Sequence, residues 1–453
     1  MNKPPRFLGL TATCLLASLV APTAFPFPSV YPTGTTIYQP DRTWNGYTIF
    51  DAPDGQGAVL IDMNGNVQRQ WTEIAAVPGP FRILPGGYIM GGDTTRRPYQ
   101  EAIVLLQLNW DGNEVWRYDQ MEQVVTEETE NEEGETEGGE TVWSSRQHHD
   151  WQREGNPVGY YAPDMAPQTD SGRTLVLAHK NVVAPEVSDK RLEDEYIYEL
   201  SWDGEVLWDW LASDHIDEFG FSEDARNAIY RSVDWNEARE SADWLHINSL
   251  SYVGPNKWYD DGDERFRPGN ILVNARNIDT MYIVDKQTKK VVWEGTHNYK
   301  SGMSHSHEPE MIEKGLPGAG NIILFDNGLF TRNRIHTGQS FVVELNPVTQ
   351  EVVWVYETKG YANIKFFSKT MGTQKRLPNG NTYIAEDNKG RLFQVKPDGE
   401  IVWEFGNRGG TTRPAPIPYD FTPQLRALPT PEELAVTPPN NLEWHLEPDV
   451  RRE

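Results

Sequence analysis

Six times along the chain a short strand ends in a tryptophan just past a turn. Leu108-Asn-Trp-Asp-Gly-Asn-Glu-Val-Trp116, Leu200-Ser-Trp-Asp-Gly-Glu-Val-Leu-Trp208 and Val395-Lys-Pro-Asp-Gly-Glu-Ile-Val-Trp403 are the clearest copies, and looser ones end at Trp71, Trp293 and Trp354. A unit recurring at roughly 45 to 90 residues, with insertions at fixed points, marks stacked supersecondary units. Such a unit cannot bury its apolar face alone, so the copies must pack on one another.

The order within a unit is readable. A short strand leads into an apolar strand, as at Tyr88-Ile-Met90, Thr174-Leu-Val-Leu177, Asn270-Ile-Leu-Val273, Asn321-Ile-Ile-Leu324 and Asn381-Thr-Tyr-Ile384, with glycine just before each. A third strand follows, then a tight hairpin at Asn64-Gly65, Asp111-Gly112, Asp203-Gly204 or Asp398-Gly399, then the tryptophan strand. Four antiparallel strands per unit make the blade of a β-propeller. The chain is therefore expected to be all-β, a six-bladed β-propeller with helical and acidic loop insertions, spanning 40–410 and followed by a C-terminal extension, 411–453. The blades are placed at 46–71, 80–116, 146–208, 245–293, 304–354 and 372–403. The first shows only three strands, and its missing strand is expected from the opposite end of the chain.

Insertions and ends carry further signals. Ser222 to Arg231 has a capping serine and acidic first turn, which predicts a helix between the third and fourth blades. Glu122 to Glu140 is a low-complexity acidic stretch, read as a solvated loop. At the N-terminus Lys3 and Arg6 precede an apolar run from Phe7 to Ala21, as in an export signal over 1–24. That predicts a periplasmic or secreted protein; Pro22, badly placed for a cut after Ala24, leaves an uncleaved membrane anchor open. The only cysteine, Cys14, lies in this segment, so the mature chain would have no thiol chemistry. A formal charge of -26 argues against a nucleic-acid partner.

The first strand of each blade lines a propeller's channel, and there the apolar pattern is broken by Arg82, His148-His149-Asp150, His246 with Asn248, His305 with His307 and Glu308, and Gln374 with Arg376. Five of the ten histidines fall on these few positions, which points to a convergent polar site on the axis. Period-two alternation puts His246 and Asn248 on one face, as it does His305 and His307, and sends His148 and His149 to opposite faces. His179, His215, His297, His336 and His445 show no clustering and read as structural.

At these strands the sequence resembles the arylsulfotransferase family, bacterial enzymes that move a sulfuryl group between phenols without a nucleotide sulfate donor. His148-His149-Asp150, Asp243-Trp244-Leu-His246-Ile-Asn248-Ser249, Phe325-Asp326-Asn327-Gly328 leading to Arg332, and Arg376-Leu-Pro-Asn-Gly-Asn381 carry the resemblance, which covers most of 46–406. It implies His246, His307 and Arg332 as catalytic residues, an aryl sulfate and a phenol as partners, and no metal or other cofactor. His148, His149, Asn248, His305, Arg334 and Gln374 are the expected substrate-binding residues. One departure stands out: the family's sulfuryl-accepting histidine lies in a later channel segment, where this chain has Gln374 and no histidine between His336 and His445. A nucleophile, if retained, would be His307 or His246.

Sulfuryl transfer resembles phosphoryl transfer in its loose transition state, with charge spread over the equatorial oxygens and the leaving oxygen. It calls for a nitrogen nucleophile, cationic donors and a proton donor, roles that imidazole and guanidinium fill. Two other readings compete: a propeller whose converging histidines hold copper or zinc, and a non-catalytic ligand- or partner-binding propeller that keeps the family scaffold.

Overall fold

The structure is a computed structural model, described over residues 33–74, 79–96, 99–126, 129–130, 136–137, 139–155, 169–300, 302–328, 338–358 and 366–437. It is all-β, a β-propeller arrangement of antiparallel sheets about a common axis. The first repeat shows how one unit forms: Tyr47–Asp51, Ala58–Ile61 and Val67–Trp71 pair in sequence order, and the innermost place is taken by Ala415–Ile417 from the far end of the chain. At the other end, Gly34–Tyr38 adds a fifth strand outside Ile401–Gly406 of the last repeat. The two ends of the chain thus fasten neighbouring sheets.

The repeats do not appear as six separate sheets. Four of them, the first and the last three, each have a sheet of their own, whereas the second and third are merged into one of ten strands. The merger is local: Gln147 of the third repeat's inner strand, Gln147–Arg153, pairs with Ala102 of Glu101–Leu108. The same sheet takes up Asp234–Asn236 and Ser241–Asp243, part of the insertion that also holds the helix Glu223–Ser232. Ser222 caps that helix by accepting from the Ala225 amide at 3.2 Å. The acidic stretch is not simply a loop. Glu122–Val125 pairs with Thr141–Ser144, and Thr129–Glu130 with Thr136–Glu137, so its described parts run as hairpin strands. No helix among the described residues is long and apolar enough to cross a membrane.

Hairpin chemistry fixes the outer edge of each unit. Gly65, Gly112, Gly204 and Gly399 all have φ between 83° and 89°, where a Cβ would be strained. In two of the looser repeats Lys289 and Gln350 take the left-handed conformation instead, at φ 60° and 57°. These two turns are also one residue longer, with Lys289 N on Asp285 O and Gln350 N on Asn346 O where the glycine turns close on the residue three back, which explains why those copies are hard to see in the sequence.

Every repeat tryptophan spans to the next repeat. Trp71 Nε1 donates to Trp110 O (3.0 Å), Trp116 to Trp202 O (2.8 Å), Trp208 to Lys286 O (2.9 Å), Trp293 to Pro347 O (2.8 Å) and Trp354 to Pro397 O (2.8 Å). Trp403 then donates to Met63 O at 2.7 Å and closes the circle. Each acceptor lies at the start of the following unit's hairpin turn. Apolar clusters fill the spaces between successive units; Leu272 and Trp293 meet Ile322 and Leu324 in one, and Phe50 and Ile61 meet Tyr383 and Trp403 in another. Innermost strands therefore pack side by side about the axis.

The closing contact is buried, whereas the Trp354 bond is exposed. Trp403→Phe should cost about 1–3 kcal/mol, because the buried indole bond and part of the ring's packing are lost and the Met63 carbonyl keeps only the Thr35 hydroxyl. Trp354→Phe should cost less than about 1 kcal/mol. Urea unfolding of the two variants checks the order.

Candidate functional site

The first strands of the repeats bring their N-terminal ends to one mouth of the axis. A cavity of about 410 Å³ lies there. Its wall draws on every repeat: Gly79 from the second, His149 from the third, His246 and Arg276 from the fourth, His307 from the fifth, Met371 and Asp387 from the sixth, and Thr412 and Arg413 from just before the strand that completes the first. A second, far smaller space of about 10 Å³ lies among Arg82, Asp150, Glu308 and Lys375. These side chains form a buried chain of ion pairs across the axis: Arg82–Asp150 at 3.0 Å, Asp150–Arg413 at 2.7 Å, Arg413–Glu308 at 3.3 Å and Lys375–Glu310 at 2.9 Å. Three cations meet three carboxylates, so the floor of the cavity is closed and near neutral. Burial would raise Asp150, but Arg413 and Arg82 hold its carboxyl below the usual range.

The backbone around the cavity is strained. Among the described residues 13 non-glycine positions have positive φ, and five of these line the cavity: Gln100, His149, His246, Met371 and Arg413. Each costs about 1–2 kcal/mol relative to ordinary backbone, and such positions gather where function over-determines conformation. Inner-strand pairing also slips between Gln147 and Trp151, between Ile247 and Leu250, and between His307 and Glu310. A bulge of this kind re-aims a side chain that strict alternation would place elsewhere.

His246 has the most defined chemistry. Its Nδ1 donates to Asp243 Oδ2 at 2.5 Å, while its backbone amide donates to Asp243 Oδ1 at 2.8 Å. With Nδ1 holding the proton, Nε2 keeps its lone pair, and the ring is one-fifth exposed toward the cavity. His149 stands edge to face against it, ring centroids 5.0 Å apart. Burial, then the neighbouring His246 and Arg413, push the His149 imidazole well below its usual range, so it is neutral.

His307 is held differently. Asn327 Nδ2 donates to the carbonyls of Ser368 and Met371 at 2.8 and 2.7 Å, so its Oδ1 is an acceptor and receives His307 Nδ1–H at 2.6 Å. His307 Nε2 in turn accepts the Met371 amide at 3.2 Å. Both ring nitrogens are therefore occupied by protein. Burial, despite the Asn327 bond, pushes this imidazole down to about 3. The Phe325-Asp326-Asn327-Gly328 turn thus serves to fix His307, and His307 to fix the loop at Met371.

Two guanidiniums reach the cavity. Arg413 is tied to Asp150, Glu308 and the Asn248 carbonyl, which keep it charged against the effect of burial. Arg276 donates to Asn277 Oδ1 at 3.0 Å and, among the described residues, has no carboxylate within 4 Å. Burial lowers its pKa, yet a guanidinium stays protonated at neutral pH. Asp387 receives the hydroxyls of Thr411 and Thr373 at 2.7 and 3.0 Å, and burial pushes its carboxyl up to about 8.

Of the residues expected from sequence, His149, His246 and His307 meet in the cavity. His148, Asn248, His305 and Gln374 are not in its wall. Asn248 does not share a cavity face with His246: it donates to Ser306 O and accepts from Asn274, because the left-handed turn at His246 and the bulge after it break the period of two. His305 is separated from His307 in the same way, by its own φ of 55°. Gln374 is buried and donates to Ile323 O and the Glu308 carbonyl. His148 lies one layer behind His149, stacked on His179 at 3.7 Å. His179 is therefore part of a cluster, contrary to its reading as an isolated histidine, and it also meets Glu101 at 3.0 Å. Arg332 and Arg334 lie outside the described residues. Arg276, Asp387 and Arg413 were missed by sequence reasoning. None sits in a motif, although Arg276 directly follows the apolar strand Ile271–Ala275.

His148, His179 and Glu195 have ligand atoms within 4.8 Å of one another, as do Glu101, His179 and Glu193. Neither set fits a tetrahedral ion. The His148 and His179 planes are 13° from parallel, so their lone pairs do not converge, and Glu101 already receives Arg146 at 2.8 Å.

Residues 104–408 match the sequence model of the family described as Arylsulfotransferase (ASST). No curated protein matches the chain. Among solved structures, a protein of unknown function from Bacteroides caccae is 13% identical, with 82% of this chain and 99% of that one covered and a TM-score of 0.43. The β-propeller domain of Cps50 (Swd1) from Myceliophteria thermophila is 8% identical, with 83% and 88% covered and a TM-score of 0.37. Virginiamycin B lyase from Staphylococcus aureus is 8% identical, with 72% and 69% covered and a TM-score of 0.33. Likenesses this distant say nothing about chemistry.

A histidine neutral in the folded protein contributes stability above its unfolded pKa of about 6.5 and loses it as pH falls toward the folded value. For His307 that window runs down to about 3. Between about pH 6 and 4 the wild type should lose stability relative to His307→Gln by about 1.4 kcal/mol per pH unit. Denaturant unfolding of both proteins across that range checks the slope.

Proposed function

The chain belongs to the arylsulfotransferase family, and from that premise we propose that it transfers a sulfuryl group from an aryl sulfate to a phenolic acceptor through a sulfo-histidine at His246. One observation carries this reading: His246 is held by Asp243 with its Nε2 lone pair facing a cavity whose wall also carries Arg276. His307 is the weaker candidate, since Met371 occupies its Nε2. A cavity of about 410 Å³ falls within the roughly 300–1,000 Å³ usual for small-ligand sites.

In the first half-reaction His246 Nε2 attacks sulfur and the bond from sulfur to the aryl oxygen breaks. Asp243 faces the positive charge that develops on the imidazole, as the aspartate does in a Ser-His-Asp triad. Arg276 and Arg413 are the cations available to the three equatorial oxygens. His149, beside His246, passes its Nε2 proton to the departing phenolate, with that proton replaced at its Nδ1, which lies 2.8 Å from His148 Nδ1. In the second half-reaction an acceptor phenol gives its proton to His149, its oxygen attacks the sulfuryl group, and His246 leaves as neutral imidazole. With His246 as nucleophile, Gln374 has no chemical part, and the histidine missing from the sixth repeat is accounted for.

The scaffold reading goes with this. We read the ten-stranded sheet as two fused blades, which would give a ring of six, and the six tryptophan contacts support that reading. The export-signal reading of 1–24, outside the described residues, would put the enzyme in the periplasm or the medium.

Incubation with an aryl sulfate should add one sulfuryl mass to the protein, labile to acid and localised to His246 by peptide mapping. His246→Ala should abolish both adduct and turnover. His149→Ala should still form the adduct but turn over about 10²- to 10⁴-fold more slowly. No phenol release from any donor and no adduct would leave a ligand-binding propeller in place of an enzyme.

A further inference from the structure

Behind the cavity histidines lies a cluster of buried carboxyls that the transfer chemistry does not use. Most have a cation or a full set of donors. Glu101 is paired with Arg146 at 2.8 Å and Glu193 with Arg239 at 2.7 Å. Asp194 receives Trp244 Nε1 at 2.7 Å and the Ser213 amide at 2.9 Å, and Asp243 holds His246. Glu195 is the exception. Its Oε1 accepts the Ile247 amide at 2.6 Å, and its Oε2 lies 3.1 Å from His148 Nε2, with both side chains 1% exposed. Neither of those two facing atoms has another hydrogen-bond partner.

An unpaired carboxylate at that depth, with Asp194, Glu193 and Asp243 close by, is costly. Burial first, and then Asp243, raise Glu195 well above the ordinary carboxyl range. Burial and the neighbouring histidines push His148 well below its own. Both shifts favour the uncharged arrangement of the pair, with the proton on the carboxyl. His148 Nδ1 in turn lies 2.8 Å from His149 Nδ1. One line of contacts thus runs from a buried acid, through two imidazoles, to the cavity.

We propose that Glu195, His148 and His149 form a proton relay that stores the phenol proton between the two half-reactions. The proposal rests on the sulfuryl-transfer reading and gives it a source and a sink for its proton. In the resting state Glu195 carries the proton, His148 is protonated on Nδ1 and His149 on Nε2, so every donor points toward the cavity. When the donor phenolate departs, His149 Nε2–H protonates it, His148 Nδ1–H moves to His149 Nδ1, and the Glu195 proton moves to His148 Nε2. Phenol leaves, and a Glu195 carboxylate remains, accepting from His148. The facing atoms of Glu195 and His148 are close but not aligned in the resting state, so the ring must tip toward the carboxyl for this last step.

The transfer leaves His149 with a bare Nε2. It is then the base that the second half-reaction needs, and deprotonation of the acceptor phenol runs the relay backwards to restore Glu195. No proton is exchanged with solvent in the complete cycle.

Leaving-group dependence tests the relay. 4-Nitrophenolate departs readily without a proton, whereas phenolate needs one. In Glu195→Gln, which keeps the shape but cannot yield the proton, the ratio of phenyl sulfate to 4-nitrophenyl sulfate turnover should fall by about 10²- to 10⁴-fold below the wild-type ratio. His148→Asn cuts the relay at its middle member and should show the same selective fall; it decides the matter if Glu195→Gln does not fold. An unchanged ratio in a folded variant overturns the relay, even where both rates drop, because equal loss means displaced packing. A wild-type protein that releases no phenol from either sulfate overturns the sulfuryl-transfer reading itself, and the relay with it.

Discussion

The indole N–H of each repeat's last strand fixes the spacing of the whole ring. A sheet satisfies its backbone bonds internally, so nothing in its own hydrogen bonding says how it should stand relative to the next. The tryptophan supplies that information: a large apolar body that enters the space between units, and a single donor that must find a partner when buried. Each indole reaches the carbonyl at the start of the neighbouring hairpin, between 2.7 and 3.0 Å away. With Trp403 on Met63 the last unit is registered on the first, and the innermost strands have a common axis.

That axis is where polar groups can be concentrated at tolerable cost. The ion chain from Arg82 to Lys375 balances three positive charges with three negative ones in a volume that excludes water. It closes the channel and ties together strands from four repeats. Above it, residues in left-handed conformations hold imidazoles and guanidiniums toward one space. The conformational cost is offset by the apolar clusters between units. A rigid ring thus supports a locally strained site, and the strain falls on His149, His246 and Arg413 themselves.

Much of this was legible in the sequence. The tryptophans and the Asp-Gly turns reveal the repeat because they act through local rules, a positive φ and a strand of fixed length. His149, His246 and His307 could be picked out because polar residues on innermost strands have few places to go. The limits have physical causes as well. Period-two alternation assigns Asn248 and His305 to the cavity, and bulges at those strands send them elsewhere. Lys289 and Gln350 hide a turn that glycine would have advertised. The merging of the second and third repeats through Gln147 and Ala102 depends on a long-range pairing with no local signal. Arg413 comes from the C-terminal end and meets Asp150 only once the ring has closed, so no spacing in the chain announces it.

The formal charge of -26 is a property of the whole chain, and a small anion meets something else at the mouth of the axis. Surface carboxylates act through water and salt, which screen them over about 8 Å. Inside the cavity His149 and His307 are neutral, and the Asp387 carboxyl, pushed up to about 8, is mostly protonated at neutral pH. Asp243 is hydrogen-bonded to His246, and Arg413 lies against the carboxylates of the floor. Arg276 is then the cation least compensated at short range, in surroundings of low dielectric where its field is strong. Desolvation, which neutralises imidazoles and carboxyls alike, thus removes most of the acidic charge from the cavity of a strongly acidic chain and leaves Arg276 and the His246 lone pair on one wall, with Asp243 the charged carboxylate behind them.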